Sequence, residues 1–271
     1  MIIDGKKIQQ KRIPKLVKKL ASFEHKPVLV IIQIGDNKES SVYINQKIKF
    51  GKSIGIPVEY YQLESTVTFE FIQKLISDFN NDDDIKGIIV QLPLPKKLQK
   101  FETQIIDCID PTKDIDGLTS YNLKKLMKNE KGIVPATAKG VLTLLTESKI
   151  SVEGKLVVII GRSVLVGRSL SQLLINNNAT VTVCHSKTED LAKITQSADI
   201  VITATGCPNL ITTKHVKKNQ VIIDVGITST GELLVGDVDF KNVSKKVAYI
   251  TPVPGGVGPM TVLSLFENLL Y

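Results

Sequence analysis

The stretch Lys155-Leu156-Val157-Val158-Ile159-Ile160-Gly161-Arg162-Ser163-Val164-Leu165-Val166-Gly167 decides how this chain is read. Residues 155–160 form an apolar run of strand length. Two glycines then bracket a turn, and residues 167–176 carry apolar side chains at helical spacing. A buried strand that enters a Gly-bounded turn and then a helix gathers free backbone N–H groups at a positive helix end. That arrangement receives a pyrophosphate. The spacing is not G-x-G-x-x-G, because Ser163 stands in the second glycine position. Read alone, the turn also suits a tight strand–helix connection with no ligand.

Working outward, strand-length and helix-length segments alternate in both directions, the signature of an α/β fold. Toward the C-terminus, strands are expected at 180–184, 199–204, 221–225 and 248–251. Helices are expected at 189–197 and 261–270, the second capped by Thr261. Toward the N-terminus, strands are expected at 28–34, 58–63 and 86–91, helices at 40–54 and 69–79, and a polar turn at 80–84. Pro93, Pro95 and the loop 110–114 break the periodicity. A helix over 138–148, with Val141, Leu142, Leu144 and Leu145 on one side, then serves as a connector. The expectation is two α/β domains with a cleft between them. One spans residues 1–120 with the returning segment 252–271; the other, residues 121–251, is a Rossmann-type dinucleotide-binding domain.

Composition narrows the classes. A chain of 271 residues suits two domains at roughly 100–200 residues each. With 42% hydrophobic and 23% charged residues it is neither disordered nor fibrous. No apolar run approaches the roughly 18 residues that cross a bilayer, and the first residues lack the pattern of a secretory signal. Cys108, Cys184 and Cys207 are far apart and never in C-x-x-C spacing, which argues against a disulfide framework and against a metal site. The expectation is a cytoplasmic protein without a membrane partner. The net charge of +8 is spread along the chain with no aromatic interleaving, so no nucleic-acid partner is expected. Its densest cluster, from Lys6 to Lys19, alternates with Ile8, Ile13, Leu16 and Leu20 and reads as an amphipathic helix with a solvated basic face. His25 and His215 fit no motif and are expected to be exposed or incidental.

Two further places carry chemistry. The strand 180–184 runs into His185-Ser186-Lys187-Thr188, with no carboxylate before Glu189 to take a ribose 2′-hydroxyl. A hydroxyl and a cation at that tip, with Arg162 on the neighbouring turn, suit a 2′-phosphate, hence NADP over NAD. In the first half, Tyr43 and Lys47 lie four apart and project from one helix face. Their helix opens beyond the carboxyl end of a buried strand, where ligands sit in α/β sheets. Gln91 and the loop Asp114-Ile115-Asp116-Gly117 fall on the same rim. A lone Tyr–Lys pair is often surface decoration; several polar groups on one rim make a functional reading compete with it. Residues 251–261, with Pro252, Pro254, Gly255, Gly256 and Gly258, form either a loop that lets backbone approach a flat ligand or simply a rigid turn.

Taken together, Tyr43-x-x-x-Lys47, Gln91-Leu92-Pro93-Leu94-Pro95, Lys113-Asp114-Ile115-Asp116-Gly117, Gly161-Arg162-Ser163 and residues 252–261 resemble, in order and spacing, the bifunctional methylenetetrahydrofolate dehydrogenase/methenyltetrahydrofolate cyclohydrolase (FolD) family. Cys184-His185-Ser186 and Asp224-Val225-Gly226-Ile227 also match, so the resemblance covers nearly the whole chain. It implies NADP-dependent oxidation of 5,10-methylenetetrahydrofolate, hydrolysis of the methenyl product to 10-formyltetrahydrofolate, and a homodimer. By the same resemblance Lys47 is the central catalytic residue, Tyr43 lies against the pterin, Gln91 holds and tunes Lys47, and Asp116 binds the pterin's donor nitrogens. Gly161, Arg162, Ser163, Ser186 and Ile227 would contact the dinucleotide. Leu92 and Pro93, with Pro254, Gly255 and Gly256, would line the folate site. The chain departs from the family pattern at Ala136, Ala138, Val164 and Ser169, which bears on the linker and the cofactor loop. Two other readings are a dehydrogenase without cyclohydrolase activity and a dinucleotide-sensing module without turnover.

Overall fold

Two runs of β-branched residues each found a parallel sheet. The computed structural model describes residues 1–23, 25–231 and 233–271. In chain order, α1 (Gly5–Leu20) precedes β1 (Val28–Ile34), α2 (Lys38–Ser53) leads to β2 (Val58–Leu63), and α3 (Phe69–Asn81) to β3 (Ile85–Val90). The three strands pair in parallel in the order β2-β1-β3, with Leu29 opposite Val58 and Val30 opposite Ile88. Leu29 to Ile32 are wholly buried, as a central parallel strand covered on both faces requires. Ile72 and Ile76 of α3 join Val30, Ile32 and Ile88 in one apolar cluster.

Next come α4 (Glu102–Asp107), α5 (Ser120–Met127) and α6 (Ala136–Glu147). The second series is β4 (Leu156–Ile160), α7 (Ser169–Asn176), β5 (Thr180–Cys184), α8 (Leu191–Ser197), β6 (Ile200–Thr203) and β7 (Val221–Asp224). It ends with β8 (Thr228–Thr230), β9 (Leu233–Val235), α9 (Phe240–Val243), β10 (Tyr249–Ile250) and α10 (Val257–Asn268). Among the described residues, a five-stranded parallel sheet has the order β10-β7-β6-β4-β5, and β8 and β9 form an antiparallel hairpin. The chain leaves β4 for β5 on one side and returns to β6 on the other. The carboxyl ends of β4 and β6 therefore flank a switch point, where open α/β sheets bind ligands. The smaller sheet has its own switch point between β1 and β3, by the same order.

Contacts divide the chain into two compact units: Met1–Lys11 with Thr137–Leu263, and Arg12–Ala136 with Ser264–Tyr271. Grouping by compactness thus differs from the grouping 1–120 with 252–271 against 121–251.

Strands 28–34, 58–63 and 180–184 form where expected, and several neighbours differ for identifiable reasons. α3 runs on through Asn80 and Asn81 because the buried Lys113 ammonium donates to the carbonyls of Phe79 (3.2 Å), Asn80 (2.6 Å) and Asp82 (2.7 Å), satisfying a helix end that would otherwise fray. α10 begins at Val257, so Thr261 lies inside the helix and is not its cap. Pro259 belongs to the first turn, where a missing N–H costs nothing. The turn after Ser163 is one π-helical turn, Val164–Arg168, and α7 proper starts at Ser169. His215 is not exposed: it is buried, and its Nδ1 accepts the Thr212 N–H at 3.1 Å, closing a short helical turn.

Candidate active site

α2 starts cleanly because the Asn37 side chain accepts the Ser40 N–H at 2.9 Å. Two turns on, it buries Lys47, with Tyr43 one turn before it, half-buried. β3 ends beside this helix. The Gln91 N–H continues the sheet by donating to the Ile32 carbonyl at 2.8 Å. The Gln91 amide nitrogen donates to the Leu92 carbonyl (2.8 Å), which turns its oxygen toward Lys47, and Lys47 Nζ donates to that oxygen at 2.9 Å. The Leu92–Pro93 peptide bond is cis.

Asp116 reaches the same place from a third segment. The Ile88 N–H donates to the Lys113 carbonyl (2.8 Å), so residues 113–115 lie alongside β3. The buried Asp114 carboxylate accepts the N–H groups of Gly117 (2.9 Å), Leu118 (3.2 Å) and Thr119 (2.8 Å) and the Asn122 amide (2.9 Å). That cradle fixes the loop carrying Asp116. Gly117 sits at φ +73°, and a side chain there would strike the backbone of Pro135. Burial pushes the Lys47 ammonium below its usual range, and the Asp116 carboxylate partly offsets the shift. The converse holds for Asp116: desolvation raises it, Lys47 counteracts, and Asp114 raises it further. Lys47, Gln91 and Asp116 thus meet as an amine, an amide and a carboxyl, each held by backbone on another element. An amine whose ammonium form burial disfavours, set beside an uncharged hydrogen-bond acceptor, can take and return a proton.

The turn after β4 belongs to the other unit. Gly161 has φ +122°, and a Cβ there would lie 2.3 Å from the Ala204 carbonyl oxygen, while one at Gly167 would lie 2.1 Å from the Gly161 oxygen. The two glycines let the turn close against the end of β6 and onto itself. Ser163 caps the π turn, its hydroxyl accepting the Val166 N–H at 3.3 Å. The Gly161 N–H donates to the Cys184 carbonyl (2.9 Å), so Arg162 and Ser186 leave adjacent strand ends; both are exposed, and so is Lys187. A turn closed by two glycines at a switch point, with a guanidinium, an ammonium and a hydroxyl beside it, fits a dinucleotide with a 2′-phosphate. Ile227 and the Gly-rich loop also lie in this unit, where a Cβ at Gly258 would touch Ile227 Cδ1 at 3.9 Å. Pro254, Gly255 and Gly256 are here too, the Gly255 carbonyl accepting the Lys6 N–H at 3.2 Å. The structure therefore brings Tyr43, Lys47, Gln91, Leu92, Pro93 and Asp116 into one unit and the other expected residues into the second.

Asp114 and Lys113 hold the site although the sequence reading, which includes both in the motif 113–117, gives them no role of their own. The signal for Asp114 was a carboxylate two residues before Asp116 and three before a glycine of positive φ.

Known proteins match both units. The tetrahydrofolate dehydrogenase/cyclohydrolase catalytic domain model matches residues 3–116, and the NAD(P)-binding domain model of the same family matches residues 135–271. The bifunctional protein FolD of Clostridium novyi is 44% identical over 271 residues, 98% of this chain and 97% of that one. That of Lactobacillus acidophilus is 44% identical over 272 residues, covering 99% and 95%. The crystal structure of FolD from Campylobacter jejuni superposes with a TM-score of 0.95 at 42% identity, over 100% of this chain and 97% of that one. FolD of Trypanosoma brucei, solved with NADP cofactor and an inhibitor, gives 0.94 at 36% identity, covering 100% and 96%. Identity above 40% along the whole length, joined to the Lys47–Gln91–Asp116 cluster and the Gly161 turn, places the chain in the tetrahydrofolate dehydrogenase/cyclohydrolase family.

Proposed function

We propose that this protein oxidises 5,10-methylenetetrahydrofolate with NADP and hydrolyses the resulting methenyl cation to 10-formyltetrahydrofolate. The observation that carries the reading is the buried Lys47 amine, 2.9 Å from the Gln91 oxygen and within the field of Asp116. NADP, when bound, supplies the hydride acceptor; Gly161, Arg162, Ser163, Ser186 and Ile227 would hold it. Hydride transfer asks the chain mainly for orientation. Tyr43 offers a ring face to the pterin, and the Asp116 carboxylate accepts from its ring N–H groups.

Hydration of the methenyl cation needs a proton moved. As water attacks the amidinium carbon, the neutral Lys47 amine accepts a proton from it. The ammonium so formed returns that proton to the ring nitrogen as its bond to carbon breaks, and the hydroxyl proton leaves to solvent as the formyl group forms. Gln91 orients the amine in both charge states without adding charge of its own. Lys47 beside Gln91 favours this reading over a dehydrogenase that stops at the methenyl product.

In this reading residues 1–120, with 252–271, handle the folate and residues 121–251 the NADP, a division by ligand. A homodimer and a cytoplasmic location belong to the same reading; the three free thiols, Cys108, Cys184 and Cys207, suit a reducing compartment. Among the described residues no helix is long and apolar enough to cross a membrane, and no group of side chains could hold a metal ion.

Mixing protein, NADP and 5,10-methylenetetrahydrofolate tests the assignment through methenyl absorbance. A rise followed by decay is expected. A rise alone would leave only the dehydrogenase, and silence would reject both activities.

A further inference from the structure

The second unit holds two buried carboxylates that the mechanism leaves unused. Asp224 ends β7 and is 3% exposed; Asp237, two residues after β9, is wholly buried. Each is flush with a glycine beside the other. A Cβ at Gly226 would lie 2.1 Å from Asp237 Oδ1, and one at Gly236 would lie 2.0 Å from Asp224 Oδ2. Asp224 accepts the N–H groups of Gly226 (3.1 Å), Asp237 (3.1 Å) and Val238 (3.0 Å), which ties the end of β7 to residues 236–238. Among the described residues, Asp237 finds donors for one oxygen only. Its Oδ2 accepts the Thr203 hydroxyl (2.8 Å), the Thr205 N–H (2.7 Å) and the Thr205 hydroxyl (2.9 Å), while Oδ1 is buried with no hydrogen-bond donor among them.

A buried carboxylate oxygen without a donor costs free energy. Here that cost accompanies a particular geometry. Thr203 ends β6, and Thr205 begins the turn beyond it, at the switch point against which Gly161 closes. Gly226, pinned through its N–H by Asp224 and pressed at its Cα by Asp237, is the residue before Ile227. The two acids thus set one wall of the switch-point crevice, from the turn after β6 to Gly226–Ile227 beyond β7.

We propose that Asp237, braced by Asp224, is a positioning residue for the dinucleotide: it holds the Thr205 turn and Gly226–Ile227 in the shape that receives NADP. The inference rests on the reading of this unit as the NADP-binding half.

Two readouts on the full-length protein separate this role from plain stability. One is NADPH affinity, followed by the nucleotide's fluorescence. The other is hydrolysis of 5,10-methenyltetrahydrofolate without NADP, which depends on Lys47. Asp237→Ala is expected to weaken NADPH binding at least tenfold while methenyl hydrolysis stays within twofold. Asp237→Asn, whose amide oxygen can keep the Thr203 and Thr205 donors, is expected to bind NADPH within threefold of wild type. Wild-type affinity in Asp237→Ala would overturn the proposal, as would an Asp237→Asn variant that keeps hydrolysis yet binds as weakly as the alanine. Should Asp237→Ala fail to fold, Thr203→Val decides: it removes one donor from a wholly buried site, and an unchanged NADPH affinity would count against the proposal. A wild-type protein that binds no NADPH would instead refute the functional reading beneath it.

Discussion

In the proposed mechanism Lys47 is the side chain whose charge sets the chemistry, and its neighbours tell how that charge will respond. Burial disfavours the ammonium, Asp116 favours it, and Gln91 supplies a neutral oxygen. Methenyl hydrolysis that uses the free amine must rise with pH as Lys47 loses its proton. Replacing Gln91 with Glu puts a negative charge against the amine, which stabilises the ammonium and raises its pKa. The rise in hydrolysis should then move to higher pH, by about one unit or more. A background-corrected kcat/KM profile for Gln91→Glu measures this, and an unmoved profile would show that Lys47 does not titrate in the rate. Strand and helix periodicities put Lys47, Gln91 and the loop 114–117 on one rim, while only the family resemblance picked Asp116 out of that loop. Asp237 could not be read from the sequence, because its partners, Thr203 and Thr205, lie more than thirty positions away, through side-chain bonds that no periodicity encodes.

At the scale of elements, the strands were the most legible parts. A buried parallel strand is a continuous apolar run, which β4 carries unbroken and β1 interrupts only at Gln33, whereas the edge strands β2 and β5 alternate with polar residues and stay largely exposed. Helix ends were less legible, since they depend on partners from elsewhere: Lys113 prolongs α3, and Pro259 fits α10 only because it falls in the first turn. The π turn of Val164–Arg168 is the element of most functional weight. It lies between Gly161 and α7 and spans the Val164 departure, while Ser169, the other departure in this loop, donates its hydroxyl to the Val166 carbonyl at 3.1 Å. Gly167 is the point at which that turn touches Gly161. A methyl group there would overlap the Gly161 oxygen, so Gly167→Ala should cost ~2 kcal/mol of stability. It should also weaken NADPH binding about tenfold, which is the same order of free energy. Thermal melts with and without NADPH measure both; an unchanged midpoint and an unchanged ligand-induced shift would mean that the turn relaxes freely.

For the whole molecule, the proposed function gives two chemistries to residues of two compact units, each built on a parallel sheet with its own switch point. Residue order along the chain suggests that division of labour, because Gln91 and the Gly161 turn each follow the carboxyl end of a strand. Compactness was not readable. Met1–Lys11 packs with the later unit and Ser264–Tyr271 with the earlier one, through contacts such as Gln9 to the Pro259 carbonyl (2.7 Å) and Asn268 to the Ile115 carbonyl (2.8 Å). The central claim is that one amine, Lys47, moves the proton that hydration requires, whereas NADP is held by other residues. The most direct test compares wild type with Lys47→Met in paired assays of methenyl hydrolysis and NADPH binding. Hydrolysis is expected to fall by about a thousandfold, within the range for loss of a general acid–base group, while NADPH affinity stays within about twofold, a change of only a few tenths of a kcal/mol. Hydrolysis at the wild-type rate in Lys47→Met would contradict the claim.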